Sequence, residues 1–381
     1  LFTDAQRRAR LGVRHSLAGR VSTVVGATRS VVALHSTDPA SVFLSLFART
    51  EGVTPDSIEA ALYTDRSLLR MLGMRRTVFV VPTGFAPVLQ AACTRAIAAQ
   101  SRKRYVQLLE QAGVGDAAFL ADVSAAALAA LERRGEATGA QLSTDVPRLR
   151  TAIVSASGSQ NITTWVLFLL AADGLTVRGR PRGGWTSSQY HWSAADVWLP
   201  DGIAELPADH ARTELVRAWL AAFGPGTMAD LRWWTGWTAG HVKAALADIG
   251  PSEVDLEDGS VGLVLPGDEA PVDPPPPWVA LLPALDPTPM GWAGRAWYLG
   301  GHTAALFDRS GNIGPTVWCD GRIVGGWAQR PDGEVVVRLL EDIGTSATAA
   351  VAQEAARLTA WIGPVRVTPR FRTPLERELT R

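Results

Sequence analysis

Asp38 followed by Pro39 sets the sharpest boundary in this chain. An aspartate at a helix N-cap accepts a hydrogen bond from an otherwise unpaired backbone N–H. A proline at the first helical position loses nothing, because its missing N–H has no intrahelical partner there. Upstream, Val31, Val32, Ala33 and Leu34 read as a buried apolar strand, and downstream the segment to Arg49 reads as an apolar helix. His35, Ser36 and Thr37 are thereby presented on a tight strand-to-helix turn, beside helix N-terminal amides whose partial positive charge orients a water or an anion.

The rest of the chain falls into blocks around that junction. Thr3 to Ala18 reads as an amphipathic helix with a capping-box start, Ser57 to Leu62 as a short helix, Met71 to Pro82 as a β-rich segment, and Thr83 opens an alanine-rich helix towards Gln111. From Asp116 the order is helix (Ala118 to Arg133), turn at Gly135, short helix (Gly139 to Val146), third helix (Asn161 to Ala172), then a hairpin from Leu175 to Trp192. That is the order of a winged helix. It recurs as Ala211 to Phe223, Gly226 to Gly236 and Thr238 to Ile249, followed by strands through Leu265, with Leu231, Trp233 and Trp234 expected to pack inward. Gly267 to Pro277 contains a stiff Pro-rich connector. Beyond it, VALLPAL, AWYLG, AALFDRSG, PTVWCDGRIVGGWAQ and VVVRLLE read as short strands, with a hairpin turn at Asp320 and Gly321; a helix from Ser346 to Trp361 and a basic strand, VRVTPRFR, follow. The expected fold class is α+β: tandem winged-helix units over 1–115, 116–200 and 201–266, then an antiparallel β-barrel-like domain over 278–381.

Composition narrows the function. With 381 residues, 47% of them hydrophobic, the chain has material for several cores. Its longest apolar run, Trp165 to Ala172, is well short of the roughly 20 residues that span a bilayer, so no membrane association is expected. Cys93 and Cys319 form neither a CxxC nor a Cys/His cluster, and no HxxxH, HExxH, Walker or GxGxxG-plus-acid pattern occurs, so neither a metal nor a cofactor is expected. The formal net charge is zero, yet residues 1–37 carry six Arg against one acid, residues 146–195 five Arg against Asp173, and residues 248–273 eight acids with no Lys or Arg. The two basic segments suit a polyanion and the acidic one repels it.

The junction followed by Asp-Pro, the LLPALDP and FGPGTMADLRWWTG segments and the CDGRIVGGW hairpin, in this order, resemble the AlkZ/YcaQ-like winged-helix DNA glycosylases. In that family the junction carries a Gln-x-Gln or Gln-x-Asp pair; here the pair is His35 and Thr37. The resemblance implies a DNA repair glycosylase that hydrolyses the N-glycosidic bond of alkylated purines, of the bulky N7-alkylguanine class. Genotoxin self-resistance would be a setting for it. His35 would orient or deprotonate water, Thr37 would hold that water, and Asp38 would place a carboxylate beneath the forming oxocarbenium ion. The Arg-rich hairpin is the candidate DNA contact: Arg178, Arg180 and Arg182 for phosphates or the minor groove, Trp185, Ser187, Ser188 and Gln189 for stacking and polar contacts. The expected partners are double-stranded DNA carrying alkylated bases and water as co-substrate, and the protein is expected to be a cytoplasmic, nucleoid-associated monomer. Two other readings stand beside it: a non-catalytic winged-helix regulator or lesion sensor, which the substituted pair supports, and a domain that sequesters a small aromatic toxin in a tryptophan-lined cleft.

Overall fold

The computed structural model describes residues 1–155 and 158–381. Helix α1 (Asp4–Arg14) starts at the capping box formed by Thr3 and Gln6. Helix α2 (Val24–Ser30) is capped by Thr23 and ends at Val31. The strand expected over Val31 to Leu34 is reduced to β1 (Leu34–His35). Because α2 runs up to Val31, the next three residues reverse the chain, with Val32 at φ 65° and the Ala33 N–H bonded to the Val31 carbonyl at 2.7 Å. These residues are apolar because they are buried in a turn. Helix α3 (Pro39–Arg49) begins as the sequence dictates, Asp38 accepting the Ala40 N–H. A short helix α4 (Pro55–Glu59) leads to β2 (Leu68–Gly73) and β3 (Thr77–Pro82), which form a three-stranded antiparallel sheet with β1 on the outer side of β3. In its register Leu34 faces Val80 and His35 faces Phe79, while Arg70 faces Val80 and Met71 faces Phe79. Side chains alternate across a sheet, so His35, Phe79 and Met71 share one face and Leu34, Val80 and Arg70 the other. Helices α5 (Ala86–Leu89) and α6 (Arg95–Gln111) complete this part.

The second part comprises α7 (Ala117–Arg134), β4 (Glu136–Ala137), α8 (Gly139–Asp145), a hairpin of β5 (Ala152–Ser155) and β6 (Gly158–Asn161), then α9 (Thr163–Ala172), β7 (Thr176–Pro181), β8 (Tyr190–Ala194) and α10 (Ala195–Trp198). Strands β4, β8 and β7 form one sheet in that order. The pairing of β5 with β6 differs from the expected order, since Ala152, Ile153 and Val154 are apolar in succession and β6 is polar, so neither carries a period-2 signal. In the third part α11 (Ala208–Phe223), α12 (Met228–Thr235) and α13 (Ala239–Ile249) precede the hairpin of β9 (Ser252–Asp255) and β10 (Val261–Val264). The last part holds β11 (Val279–Leu282), α14 (Ala296–Leu299), α15 (Thr303–Leu306), β12 (Thr316–Cys319), β13 (Arg322–Gln329), β14 (Val335–Leu339), α16 (Thr345–Ile362) and α17 (Pro374–Leu379).

The barrel-like expectation for this last part is corrected. Strands β11, β12, β13 and β14 make an open four-stranded antiparallel sheet in sequence order. Its edges do not meet, because α16 packs on both β11 and β14, which protects the edges without closure. Two expected strands are short helices: Trp297, Tyr298 and Leu299 are buried consecutively, wedged among Trp292 and Trp318, a burial that an alternating strand does not give. The VRVTPRFR segment is not a strand either. Its backbone donors go to side chains, Val367 N–H to Gln329 Oε1 at 2.7 Å and Arg370 N–H to Asp38 Oδ2 at 2.9 Å.

One continuous apolar core unites the first, third and last parts, while residues from Tyr105 to Leu170 build a core of their own. Among the described residues no helix is long and apolar enough to cross a membrane.

Candidate active site

His35 and Thr37 open onto a cleft of about 370 Å³. The tip of the β2–β3 hairpin (Met74, Arg75, Arg76) forms one wall. Phe79, Trp234, Leu285, Met290, Asn312 and Phe371 line much of the rest, and among the described residues no carboxylate lines it. The His35 ring lies edge-on to Phe79 at 5.2 Å. Its Nδ1 is buried without a hydrogen-bond partner among the described residues. Burial, and after it the nearby Arg75 charge, hold its pKa down at about 4, so the imidazole is neutral near pH 7.

Ser36, between them, turns to the other face of the sheet. There Arg70, which is buried, donates from Nε to Ser36 Oγ at 2.7 Å and from Nη1 to the Tyr63 hydroxyl at 2.9 Å, and its guanidinium sits 4.7 Å from the Tyr190 ring. Among the described residues Arg70 has no carboxylate partner; hydroxyl oxygens and aromatic faces compensate its charge. The Tyr190 hydroxyl is itself buried without a partner.

Asp38 is buried and lies outside the cleft. Its Oδ1 accepts the Ala40 N–H at 3.2 Å and its Oδ2 the Arg370 N–H at 2.9 Å, while burial raises its pKa against those bonds. Both oxygens therefore hold backbone, one at the helix start and one in the C-terminal segment. Asp38→Ala is expected to lower unfolding free energy by about 2–3 kcal/mol, because it removes a cap and leaves the Arg370 N–H unpaired. Urea denaturation checks this, and a change below about 0.5 kcal/mol would refute the account.

Behind the Leu285 to Met290 wall lies a buried network. Arg49 and Asp286, both 0% exposed, form a bidentate pair at 2.6 and 2.8 Å. Asp286 also accepts from Ser45 Oγ (2.6 Å) and the Thr288 N–H (2.9 Å), and Arg49 donates to Thr288 Oγ1 (2.7 Å). Burial alone would raise the Asp286 carboxyl, but Arg49 and these bonds hold it below the ordinary carboxylate range. His15 completes the set, Nδ1 facing the Thr288 hydroxyl at 2.9 Å and Nε2 the Ala222 carbonyl at 3.1 Å; burial and the Arg49 charge push its pKa to about 3.

The Arg-rich hairpin is partly engaged inside the molecule. Trp185 is buried, stacked on Phe43 at 5.1 Å and beside Trp361, and Arg178 covers Trp192 at 4.6 Å. Arg180 is paired with Glu59 and lies over Tyr63. Ser187 is half-buried, its hydroxyl accepting the Gln189 N–H at 3.1 Å, and Arg182, Ser188 and Gln189 are exposed at the hairpin end. Among the described residues no group of three or more His, Cys, Asp or Glu side chains is placed to hold a metal ion.

A family model described as DNA glycosylase AlkZ-like matches residues 28–361, most of the chain and all of the junction. The chain belongs to the AlkZ-like DNA glycosylase family. The solved structure of Streptomyces sahachiroi DNA glycosylase AlkZ superposes with a TM-score of 0.74 over 94% of this chain and 97% of that one. At 21% identity this shows a shared fold. No curated protein matches. As an AlkZ-like protein the chain is of the DNA repair glycosylase type, acting on DNA. Sequence reasoning missed much of the AlkZ-like cleft: Arg75, Arg76, Phe79, Asn312 and Phe371 come from three distant segments. The tandem Arg75 and Arg76, set between apolar stretches in MLGMRRTVFVV, were the one local signal available.

Proposed function

We propose that this protein is a monofunctional glycosylase that hydrolyses the N-glycosidic bond of N7-alkylguanine and related alkylpurines in duplex DNA, with His35 and Thr37 holding the attacking water. The observation that carries the reading is the neutral His35 imidazole, its Nδ1 without a partner among the described residues, lining the same cleft as Thr37 at the junction where the family's pair stands. The extruded purine is cationic, so the C1′–N bond breaks with its electron pair going to the base, which leaves neutral. Water adds through oxygen to the oxocarbenium carbon, and its proton passes to the His35 imidazole. Water bound to such a carbon is a strong acid, so a weakly basic imidazole suffices. Thr37 supplies a second hydrogen bond to that water, and Asp38, through its two backbone bonds, holds the turn that carries both, with its negative charge behind the cleft. The products are an abasic site and a free alkylpurine. We read 116–200 and 201–266 as winged helices that carry the duplex, with Arg180, Arg182, Ser188 and Gln189 facing it.

One observation favours the second reading, DNA binding without catalysis: among the described residues no carboxylate lines the cleft. A single-turnover incubation with duplex carrying one N7-alkylguanine, followed by alkali to cut abasic sites, separates the two. Cleavage is expected, with a rate that is flat above pH 5 and falls as pH drops through about 4, where His35 takes up a proton. Binding without cleavage, on small and bulky adducts alike, would establish the regulator or sensor.

A further inference from the structure

Arg75 is an exposed side chain lining the cleft and held in a constrained backbone conformation. It occupies φ 54° and its neighbour Arg76 φ 60°, two consecutive left-handed non-glycine residues, each costing on the order of 1 kcal/mol. The surroundings hold it there. Its guanidinium lies 4.6 Å from the Trp233 ring, Arg295 lies 4.6 Å from the same ring, and Gly236 in α12's C-cap leaves the space its side chain fills: a Cβ there would come within 3.0 Å of Arg75 Cγ. Arg76 anchors the other side of the tip, donating to the Tyr105 hydroxyl at 2.7 Å and covering Phe168 at 4.9 Å. Yet among the described residues the Arg75 guanidinium has no hydrogen bond and no carboxylate partner. Arg295, which shares the Trp233 ring, repels it and acts to lower its pKa after burial does. Five N–H donors thus line the cleft with no protein acceptor among the described residues.

We propose that Arg75, backed by Arg295 across Trp233, is the receptor for one phosphodiester of the DNA strand whose nucleotide enters the His35 cleft. This rests on the glycosylase reading for its ligand. A planar guanidinium binds a phosphate through two parallel hydrogen bonds, and stacking on Trp233 fixes its plane before DNA arrives. The phosphate also removes a conflict within the cleft. A cationic alkylpurine is repelled by an uncompensated Arg75, and the substrate's own phosphate cancels that charge as the base enters.

The test uses a duplex with a stable abasic analogue, so that binding is read without cleavage, and a set of duplexes in which single phosphates around the analogue are replaced by uncharged methylphosphonate. Glycine adopts φ 54° without strain, so Arg75→Gly should melt within a few degrees of the parent; Arg75→Asn, which also tolerates this conformation, is the second variant. For the parent, one methylphosphonate position should weaken binding roughly tenfold. For Arg75→Gly, binding to the all-phosphate duplex should fall by a similar factor, the salt slope should drop by about one, and that same methylphosphonate should cost nothing more. If both variants lose as much as the parent at every position, or bind as tightly with an unchanged salt slope, the phosphate assignment is wrong. A parent that cleaves alkylated duplex but shows no such coupling overturns this inference alone. A parent that binds with the coupling but cleaves nothing overturns the catalytic reading alone, and one that binds no duplex overturns both.

Discussion

Replacing Asp286 with alanine is expected to lower the unfolding free energy by about 3–5 kcal/mol, measured by urea denaturation, because Arg49 would remain fully buried with no carboxylate to face it. That is a large part of the stability of an ordinary domain. The damage should be local to the charge rather than to lost volume: the double variant Arg49→Met, Asp286→Leu should recover much of the loss, since neither charge then needs compensation. A single variant that costs under about 1 kcal/mol would contradict the burial seen here. Acid compounds the effect. His15 is held neutral down to about pH 3, whereas in the unfolded chain it protonates near 6.5. As pH falls through that window the unfolded state takes up a proton the folded state does not, so stability drops.

His35→Ala should reduce the single-turnover release of N7-alkylguanine by roughly 10²–10⁴-fold while leaving duplex affinity near the parent's, as removal of a water-positioning base does. His35→Gln, which returns a carboxamide to the position where the family carries one, should retain more activity than alanine, and its rate should lose the fall near pH 4. Equal rates for parent and His35→Ala would remove His35 from the chemistry and move the water to another group.

Elements with strong local rules were legible. Asp38-Pro39 started α3 where expected, Thr3 capped α1 through Gln6, and Asp320-Gly321 turned the β12–β13 hairpin. Errors came where apolar content was right but its cause was tertiary. Val31 to Ala33 are apolar because a reversal is buried, and AWYL because three successive side chains enter an aromatic wedge. VRVTPRFR has strand-like alternation, yet Gln329 and Asp38 take its N–H groups. Half of the cleft was legible, since His35 and Thr37 sit on one turn and alternate away from Ser36. The remainder was not: the hairpin tip, Trp234, Asn312 and Phe371 converge through long-range packing that no periodicity announces. Trp185 shows the same limit from the other side, a tryptophan in a basic hairpin whose ring stacks on Phe43.

The hydrogen bond from the Arg370 amide to Asp38 spans 332 residues. During synthesis, the turn bearing His35 and Thr37 leaves the ribosome long before the segment that locks it. While the intervening residues are made, the nascent chain holds a turn fastened on one side only, and the segment around Arg370 supplies the second fastening. A chain cut short before Arg370 would carry the pair without its latch.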